Sequence, residues 1–225
     1  MSAGLSVANP LHLDTDVFCN QSSVDDFVHK YNGSTGKDAN DNECNKFLAT
    51  NALRSKNRFR ALDETGIVGA VCKHEMPCLF FSLRHGERFS YIVYAMEEIK
   101  RRVETKSVNL LYDVACALEK HLKKVKRNDL LSFFKLAVPV FHSYGHKVDC
   151  QLKYSPRNIP GFGMADGEGC ERLWSYLRRF ARITKESRPS RRIDILTDSV
   201  LYYGRISSDR LVIRNPSTTK ISQIS

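Results

Sequence analysis

The sequence predicts a mixed α/β fold, an α+β arrangement of strands and helices around one sheet. Short runs of β-branched and aromatic residues flanked by glycine or proline are typical of strands. Apolar residues at intervals of three and four are typical of helices, and the two patterns follow one another along the chain. Hydrophobic residues make up 42% and charged residues 27% of the 225 residues, which is the composition of a globular domain with a core.

The predicted elements form a hairpin, a helix, a strand and then further helices. The polar segment from Met1 to about Asn45 is expected to be irregular apart from one short helical piece. In chain order, the predictions are a helical piece at 24–31, strands at 67–71 and 78–83, a helix at 89–103, a strand at 108–112, a helix at 114–125, an edge strand at 138–141, and helices at 166–184 and 193–203. This order indicates helices packed around one sheet.

Each assignment has a local reason. The first strand follows Gly66 and contains Gly69. The second strand follows Pro77, close enough to the first strand to form a hairpin with it. The run VNLLY at 108–112 is short and apolar, as a buried strand is. The helix after it ends in lysine and arginine, which suit the negative end of the helix dipole. Pro139 limits its segment to a sheet edge because proline has no N–H to donate.

The composition also indicates partners and location. The formal net charge of +10, from 35 basic and 25 acidic residues, favours a polyanionic partner, above all DNA, although a merely basic protein remains an alternative. No run approaches the ~20 apolar residues of a membrane helix, and the start lacks the pattern of a signal peptide. Seven cysteines, an odd number, favour reduced thiols over a secreted disulfide scaffold. We expect a nuclear or cytoplasmic protein that is not secreted.

Three acidic residues are candidates for metal-dependent chemistry. Asp113 follows a predicted buried strand, and ligand groups gather at the carboxyl ends of strands in α/β sheets. Glu168 and Glu171 lie three residues apart at the start of a predicted helix and therefore share one flank of it. Carboxylates from separate elements could hold Mg²⁺ or Mn²⁺ for phosphodiester cleavage. The alternative is that Asp113 caps a helix and the glutamates stabilise a helix N-terminus.

Cysteine and histidine residues form a second candidate site. If the segment around them were helical, three potential zinc ligands at intervals of four would share one face. These are His142, His146 and Cys150, with Cys44, Cys72 and His74 as upstream candidates for the remaining position. The alternative is that they are buried thiols and hydrogen-bonded core histidines.

A basic stripe follows the last acidic residues. It has seven cations and one acidic residue, and it would bind phosphates without reading sequence. Its cations are Arg178, Arg179, Arg182, Lys185, Arg188, Arg191 and Arg192. The alternative is a solvated helix face followed by a basic loop.

Taken together, four stretches resemble the KDZ (Kyakuja–Dileera–Zisupton) family of DNA transposases. They lie at 43–77, 110–116 (LLYDVAC), 138–163 and 166–177 (DGEGCERLWSYL), in the order in which they occur in the family. The resemblance implies a ribonuclease H-like transposase core with two catalytic Asp and one Glu. Asp113 matches the second Asp, and Glu171 matches the Glu, with Glu168 as the alternative. The Cys and His residues resemble a Cys/His-rich insert of the family, which favours zinc.

The resemblance also implies that the first catalytic Asp is missing. In the family it lies in a strand with an Asp-Gly-Asn-Phe-like motif, and no such motif occurs here. Asp63 is a conceivable substitute, but it belongs to a different family segment. We therefore expect an irregular segment at 1–42, a transposase-like core at 43–205 that is incomplete at its N-terminus, and a divergent, disordered tail at 206–225.

The sequence thus predicts the core of a DNA transposase, a divalent-metal-dependent strand-cleaving and strand-transferring enzyme, as an inactive fragment. Its partner would be DNA, with Mg²⁺ or Mn²⁺ if it is active and Zn²⁺ as a structural ion. The alternative is a non-catalytic DNA-binding or zinc-stabilised interaction protein derived from a transposon. Whether the chain forms a homo-oligomer is left open.

Overall fold

The protein has a five-stranded mixed sheet with the strand order β3-β2-β1-β4-β5. The computed structural model describes residues 2–7, 17–35, 64–84 and 88–214. The strands are β1 (Ser2–Val7), β2 (Gly66–Cys72), β3 (Pro77–Leu83), β4 (Val108–Tyr112) and β5 (Phe134–Ala137). The central strand β1 runs parallel to β2 and antiparallel to β4, with Leu5 opposite both Ala70 and Tyr112.

The helices alternate with the strands and then follow them. They are α1 (Gln21–Thr35), α2 (Phe89–Arg102), α3 (Ala115–Lys124), α4 (Asn128–Phe133), α5 (Val140–Ser143), α6 (Val148–Tyr154), α7 (Gly169–Leu177), α8 (Ala181–Glu186) and α9 (Pro189–Arg214), with a 3₁₀ turn at Arg178–Phe180 between α7 and α8. The mixed α/β class predicted from the sequence is therefore confirmed.

The sheet is covered on both faces because successive side chains of a strand point to opposite sides. Val68 and Ala70 face the larger core, which α1, α2 and α3 complete, whereas Val71 faces a second core formed with α7 and α9. The same alternation places Leu110 in the larger core and Leu111 against Phe162, in the loop before α7. Loop 155–168 thus lies on the α7 side of the sheet.

The predicted hairpin, the helix at 89–102 and the strand at 108–112 occur where the sequence indicated. The N-terminal segment differs in part, because β1 is a regular strand where we expected irregular chain, whereas the helical piece predicted at 24–31 lies within the longer helix α1. Helix α9 extends to Arg214, so residues 206–214 of the expected disordered tail are helical. Residues 215–225 lie outside the described chain.

Two further predictions were wrong in position. The edge strand is β5, four residues before the predicted one, because Pro139 starts the turn of α5 at φ −52°. The single helix predicted at 166–184 is divided, and it starts at Gly169 because Gly167 adopts a left-handed φ of 84°. Helices α4 and α6 were not predicted.

Candidate functional site

Two glycines allow α7 to lie close against the sheet. A β-carbon at Gly4 of β1 would lie 2.6 Å from Cβ of Cys170, and one at Gly69 of β2 would lie 2.7 Å from the Trp174 ring. Real β-carbons do not approach other atoms so closely, so glycine is required for this contact. The Cys170 thiol also donates a hydrogen bond to the Leu5 carbonyl at 2.8 Å. These contacts fix the position of α7, and with it the glutamates at its start.

An ion-paired network fixes the same helix from outside. Arg172 of α7 donates to Glu75 of the β2–β3 turn at 2.7 Å and to Asp166 at 2.9 Å. The second oxygen of Glu75 accepts a hydrogen bond from Tyr203 of α9 at 2.9 Å. Asp166 also accepts from the backbone N–H of Glu168 at 3.0 Å. Arg172 of α7 therefore holds, through Asp166, the turn that carries Glu168.

The structure brings the predicted acidic residues together around His142. Nδ1 of His142 lies 3.5 Å from Oε2 of Glu168, and its Nε2 lies 3.9 Å from Oε1 of Glu171. The other oxygen of Glu168 accepts a hydrogen bond from the backbone N–H of Phe141 at 3.1 Å. Asp113 follows β4, and its carboxylate interacts electrostatically with both His142 and Glu171. We call Asp113, Glu168 and Glu171 the carboxylate cluster.

The charges of the cluster influence one another. Burial raises the pKa of Asp113, the Glu171 carboxylate raises it further, and the His142 ring opposes this effect. The interaction of His142 with the Glu168 carboxylate raises the pKa of His142, and the negative charge of Asp113 adds to this shift. A protonated His142 would therefore balance part of the negative charge, as a bound cation would.

The carboxylate cluster offers oxygen ligands of the type that Mg²⁺ prefers, but its ligand atoms are not gathered as closely as those of Cys116, His146 and Cys150, which alone among the described residues form a group within 4.8 Å. Mg²⁺ binds through one or two carboxylates and keeps several waters. Asp113 and Glu171 could supply these carboxylates. The neighbouring central strand has the sequence SAGLSV, which has no carboxylate. A second cation held between β1 and β4 would therefore lack a ligand from the central strand. Asp63, the conceivable substitute, lies outside the described residues.

A separate group of potential metal ligands lies beneath this site. The ligand atoms of Cys116, His146 and Cys150 all lie within 4.8 Å of one another, and the three residues are buried. Sγ of Cys116 is 3.5 Å from Nδ1 of His146. We call these three residues the thiol–imidazole cluster. Two thiols and one imidazole are ligands that zinc prefers, although a structural zinc site takes four.

The sequence prediction of this second site was correct only in part. His146 and Cys150 meet as expected, whereas His142 turns to Glu168 and Glu171 instead. Cys72 and His74 lie together in the β2–β3 hairpin, with Sγ 3.9 Å from Nδ1, and neither belongs to the cluster. A hydrogen bond with the Cys78 thiol lowers the pKa of Cys72 to about 6. Cys44 lies outside the described residues.

Cys116 is the ligand that sequence reasoning missed. It lies in the first turn of α3, three residues after Asp113, so the two sites are adjacent along the chain. The motif YDVAC contains both residues, and the cysteine in it was the available signal. None of the described cysteines forms a disulfide.

The basic stripe follows directly from α7. Six of its seven cations are exposed, namely Arg178, Arg179, Arg182, Lys185, Arg188 and Arg191. Arg192 is different, because it forms an ion pair with Glu64 and its side chain is only 18% exposed. The guanidinium of Arg179 lies over the Tyr176 ring, 5.4 Å from its centre. Arg192 is therefore the member least suited to meet a phosphate.

Fold and site together define a mixed α/β protein with an acidic site beside the central strands of its sheet. The family model of the Kyakuja-Dileera-Zisupton transposases matches residues 2–202. The chain therefore belongs to the KDZ transposase family, and the resemblance of its motifs is confirmed. No curated protein and no solved structure matches the chain. Within the described ranges, no helix has the length and hydropathy needed to cross a bilayer.

Proposed function

We propose that this protein is a transposase-derived DNA-binding protein whose carboxylate cluster holds one divalent cation and does not cut DNA by itself. One observation carries the proposal. Asp113 follows β4 and shares a site with Glu168 and Glu171, while the adjacent central strand has no carboxylate. Such a site can bind a cation and a phosphate, but it lacks part of the two-metal arrangement that strand cleavage uses.

Asp113 and Glu171 would hold Mg²⁺ or Mn²⁺, with Glu168 as the alternative to Glu171. The ion would supply Lewis-acid polarisation of a phosphate oxygen. The ring of His142 lies between the two glutamates, 3.5 Å from Glu168 and 3.9 Å from Glu171, and the Phe141 N–H donates a hydrogen bond to the other oxygen of Glu168.

A ribonuclease H-like core is part of the proposal. Its support is the family, together with a five-stranded mixed sheet, helices on both faces and a carboxylate after β4. DNA as the partner is supported by the family and by the net charge of +10. With DNA as its partner, the protein would act in the nucleus.

DNA would reach the carboxylate cluster along α7. This helix starts beside Glu168 and ends at Leu177, where the basic stripe begins. At 1.5 Å per residue, the two ends of α7 are roughly 14 Å apart, which is the axial rise of about four nucleotides of one DNA strand. One bound strand could therefore contact the basic stripe and the carboxylate cluster together.

A zinc-stabilised interaction protein of transposon origin is the second candidate. The observation that favours it is the thiol–imidazole cluster, which is buried and needs no DNA for its structure. The two candidates are not exclusive, because Cys116 lies one helical turn from Asp113 and His146 one turn from His142. A zinc ion there would hold in place the residues that form the acidic site.

The first test concerns the basic stripe. We expect Arg178→Ala, Arg179→Ala and Arg182→Ala together to weaken binding of duplex DNA and to flatten its salt dependence. Each lost phosphate contact lowers the slope of log Kobs against log salt by about 0.9, so three contacts lower it by roughly 3. Fluorescence anisotropy of a labelled duplex over a salt series measures this slope.

The matched control removes the same charge elsewhere. Lys106→Ala, Lys120→Ala and Lys124→Ala change exposed cations remote in sequence from the basic stripe, and the slope should remain that of the unchanged protein. If both triple variants lower the slope equally, the basic stripe acts only through net charge. If neither does, the basic stripe is a solvated surface and the proposed DNA path is wrong.

A further inference from the structure

Two aromatic side chains beside the carboxylate cluster are exposed to solvent. Phe141 is 73% and Tyr144 75% exposed. They lie three residues apart on the turn of α5, where the Tyr144 N–H reaches back to the Phe141 carbonyl. Residues with this spacing share one side of a helical turn. The two rings therefore form one exposed aromatic surface.

This surface adjoins the acidic site directly. The backbone N–H of Phe141 donates to Glu168, and its ring meets the His142 ring edge to face at a centroid distance of 6.2 Å. The same imidazole contacts both glutamates. Phe141 thus lies directly beside the carboxylate cluster. A group stacked on its ring would lie next to any phosphate bound at that cluster.

Basic side chains flank the two rings along the chain. The segment 134–148 contains no aspartate or glutamate, and it carries Lys135 and Lys147 together with two histidines. Lys147 is exposed and follows Tyr144 by three residues. Exposed aromatic rings next to a cationic side chain are a combination by which proteins bind single strands, since every base has a face that can stack. The acidic neighbours of the two rings are the exposed Asp149 and the carboxylate cluster.

We propose that Phe141 and Tyr144 form a stacking surface for unpaired DNA bases, so that DNA is held at the carboxylate cluster with its bases splayed rather than as an intact duplex. This inference rests on the proposed DNA-binding function and specifies the form of DNA at the acidic site. A base within a duplex is already stacked on its neighbours, so it can reach Phe141 only after leaving the helix. The basic stripe, in contrast, needs only phosphates and accepts either form.

The experiment compares two DNAs of the same sequence, a labelled single strand and its duplex, by fluorescence anisotropy at one salt concentration. We expect the double variant Phe141→Ala and Tyr144→Ala to bind the single strand about tenfold more weakly or worse, and the duplex with less than about a twofold change. The variant Phe141→Trp, which keeps an aromatic face, should bind the single strand as the unchanged protein does. Thermal unfolding confirms that the variants fold, since both replaced side chains are exposed.

The matched control is Val148→Ala with Leu152→Ala, two equally exposed apolar residues on α6 that are 68% and 62% exposed. This control should leave both affinities unchanged. An equal loss in both double variants, or an equal loss on both DNAs, would overturn the stacking proposal. So would a dimer of the unchanged protein that dissociates in the Phe141/Tyr144 variant without any change in DNA affinity, because the surface would then be a protein interface.

Failure of this inference can be told apart from failure of the proposed function. If the unchanged protein binds both DNAs and the Phe141/Tyr144 variant binds them equally well, only the stacking surface is disproved. If the unchanged protein binds neither DNA, DNA binding itself is disproved, and the stacking surface with it.

Discussion

At the scale of single residues, Cys116 links the two candidate sites. It lies in the first turn of α3, three residues after Asp113, and it meets His146 and Cys150 from a different part of the chain. Bound zinc would therefore cross-link the start of α3 to the segment that carries His142. Since metal binding to a structural site contributes to folding free energy, removal of the ion should destabilise both sites.

We expect the purified protein to contain about one zinc ion per chain, and Cys116→Ser to lose most of it. Elemental analysis measures the content, and thermal unfolding should show a melting temperature lower by roughly 5 °C or more after chelation. Cys78→Ser is the matched control, because this thiol is half-buried on β3 and lies outside the cluster. Absence of zinc in the unchanged protein, with stability indifferent to chelator, would contradict the prediction.

At the scale of elements, the contact between α7 and the sheet decides whether the acidic site forms. This contact depends on the missing side chain of Gly69, because a β-carbon there would lie 2.5 Å from the Phe80 ring and 2.7 Å from Trp174. Both rings are themselves packed, with Phe80 fully buried. Any added atom must therefore move α7 or distort the rings.

We expect Gly69→Ala to lower the free energy of unfolding by about 1–3 kcal/mol, the usual cost of overpacking a core. Urea denaturation measures the change. The control is Gly33→Ala in α1, where an added β-carbon meets nothing within 4 Å. There the better helix propensity of alanine should stabilise by up to about 1 kcal/mol. A Gly69→Ala protein as stable as the unchanged one would show that α7 is not held this closely.

At the scale of the whole molecule, the position of the central strand and its lack of carboxylates limit metal-dependent DNA cleavage. Strand β1 fills the centre of the sheet, parallel to β2 and antiparallel to β4, and it hydrogen-bonds to both. No sheet edge is left open at this position, which avoids the aggregation hazard of an exposed edge. The segment contributes no carboxylate to the site beside Asp113.

We therefore expect this chain by itself not to nick or join DNA with Mg²⁺ or Mn²⁺. Two-metal cleavage requires carboxylates that hold both ions ~4 Å apart, and the central strand supplies none. Agarose gels of supercoiled plasmid measure nicking, with Asp113→Ala as the matched control for contaminating nuclease. Nicking by the unchanged chain that disappears in Asp113→Ala would refute the prediction, and Asp63 would then be the next ligand to test.

Local sequence pattern was enough to predict the family and those parts of the site that depend on short segments. The β-branched run and Pro77 were enough to predict the hairpin, and VNLLY was enough to place Asp113 at the end of a buried strand. The motif DGEGCER located Glu168 and Glu171 at the start of a helix. These predictions succeeded because hydrophobic period, turn residues and motif order are properties of short segments.

Which distant residues meet depends on the long-range packing of the fold. Spacing placed His142 with His146 and Cys150, but the turn that begins at Pro139 directs His142 to the glutamates of α7, while Cys116 of α3 joins the thiol–imidazole cluster. Nor does pattern predict that β1 enters the sheet between β2 and β4, because that depends on hydrogen bonds with strands about 60 and 100 residues away along the chain. Local sequence fixes which residues lie one turn apart, whereas long-range packing fixes which turns face each other.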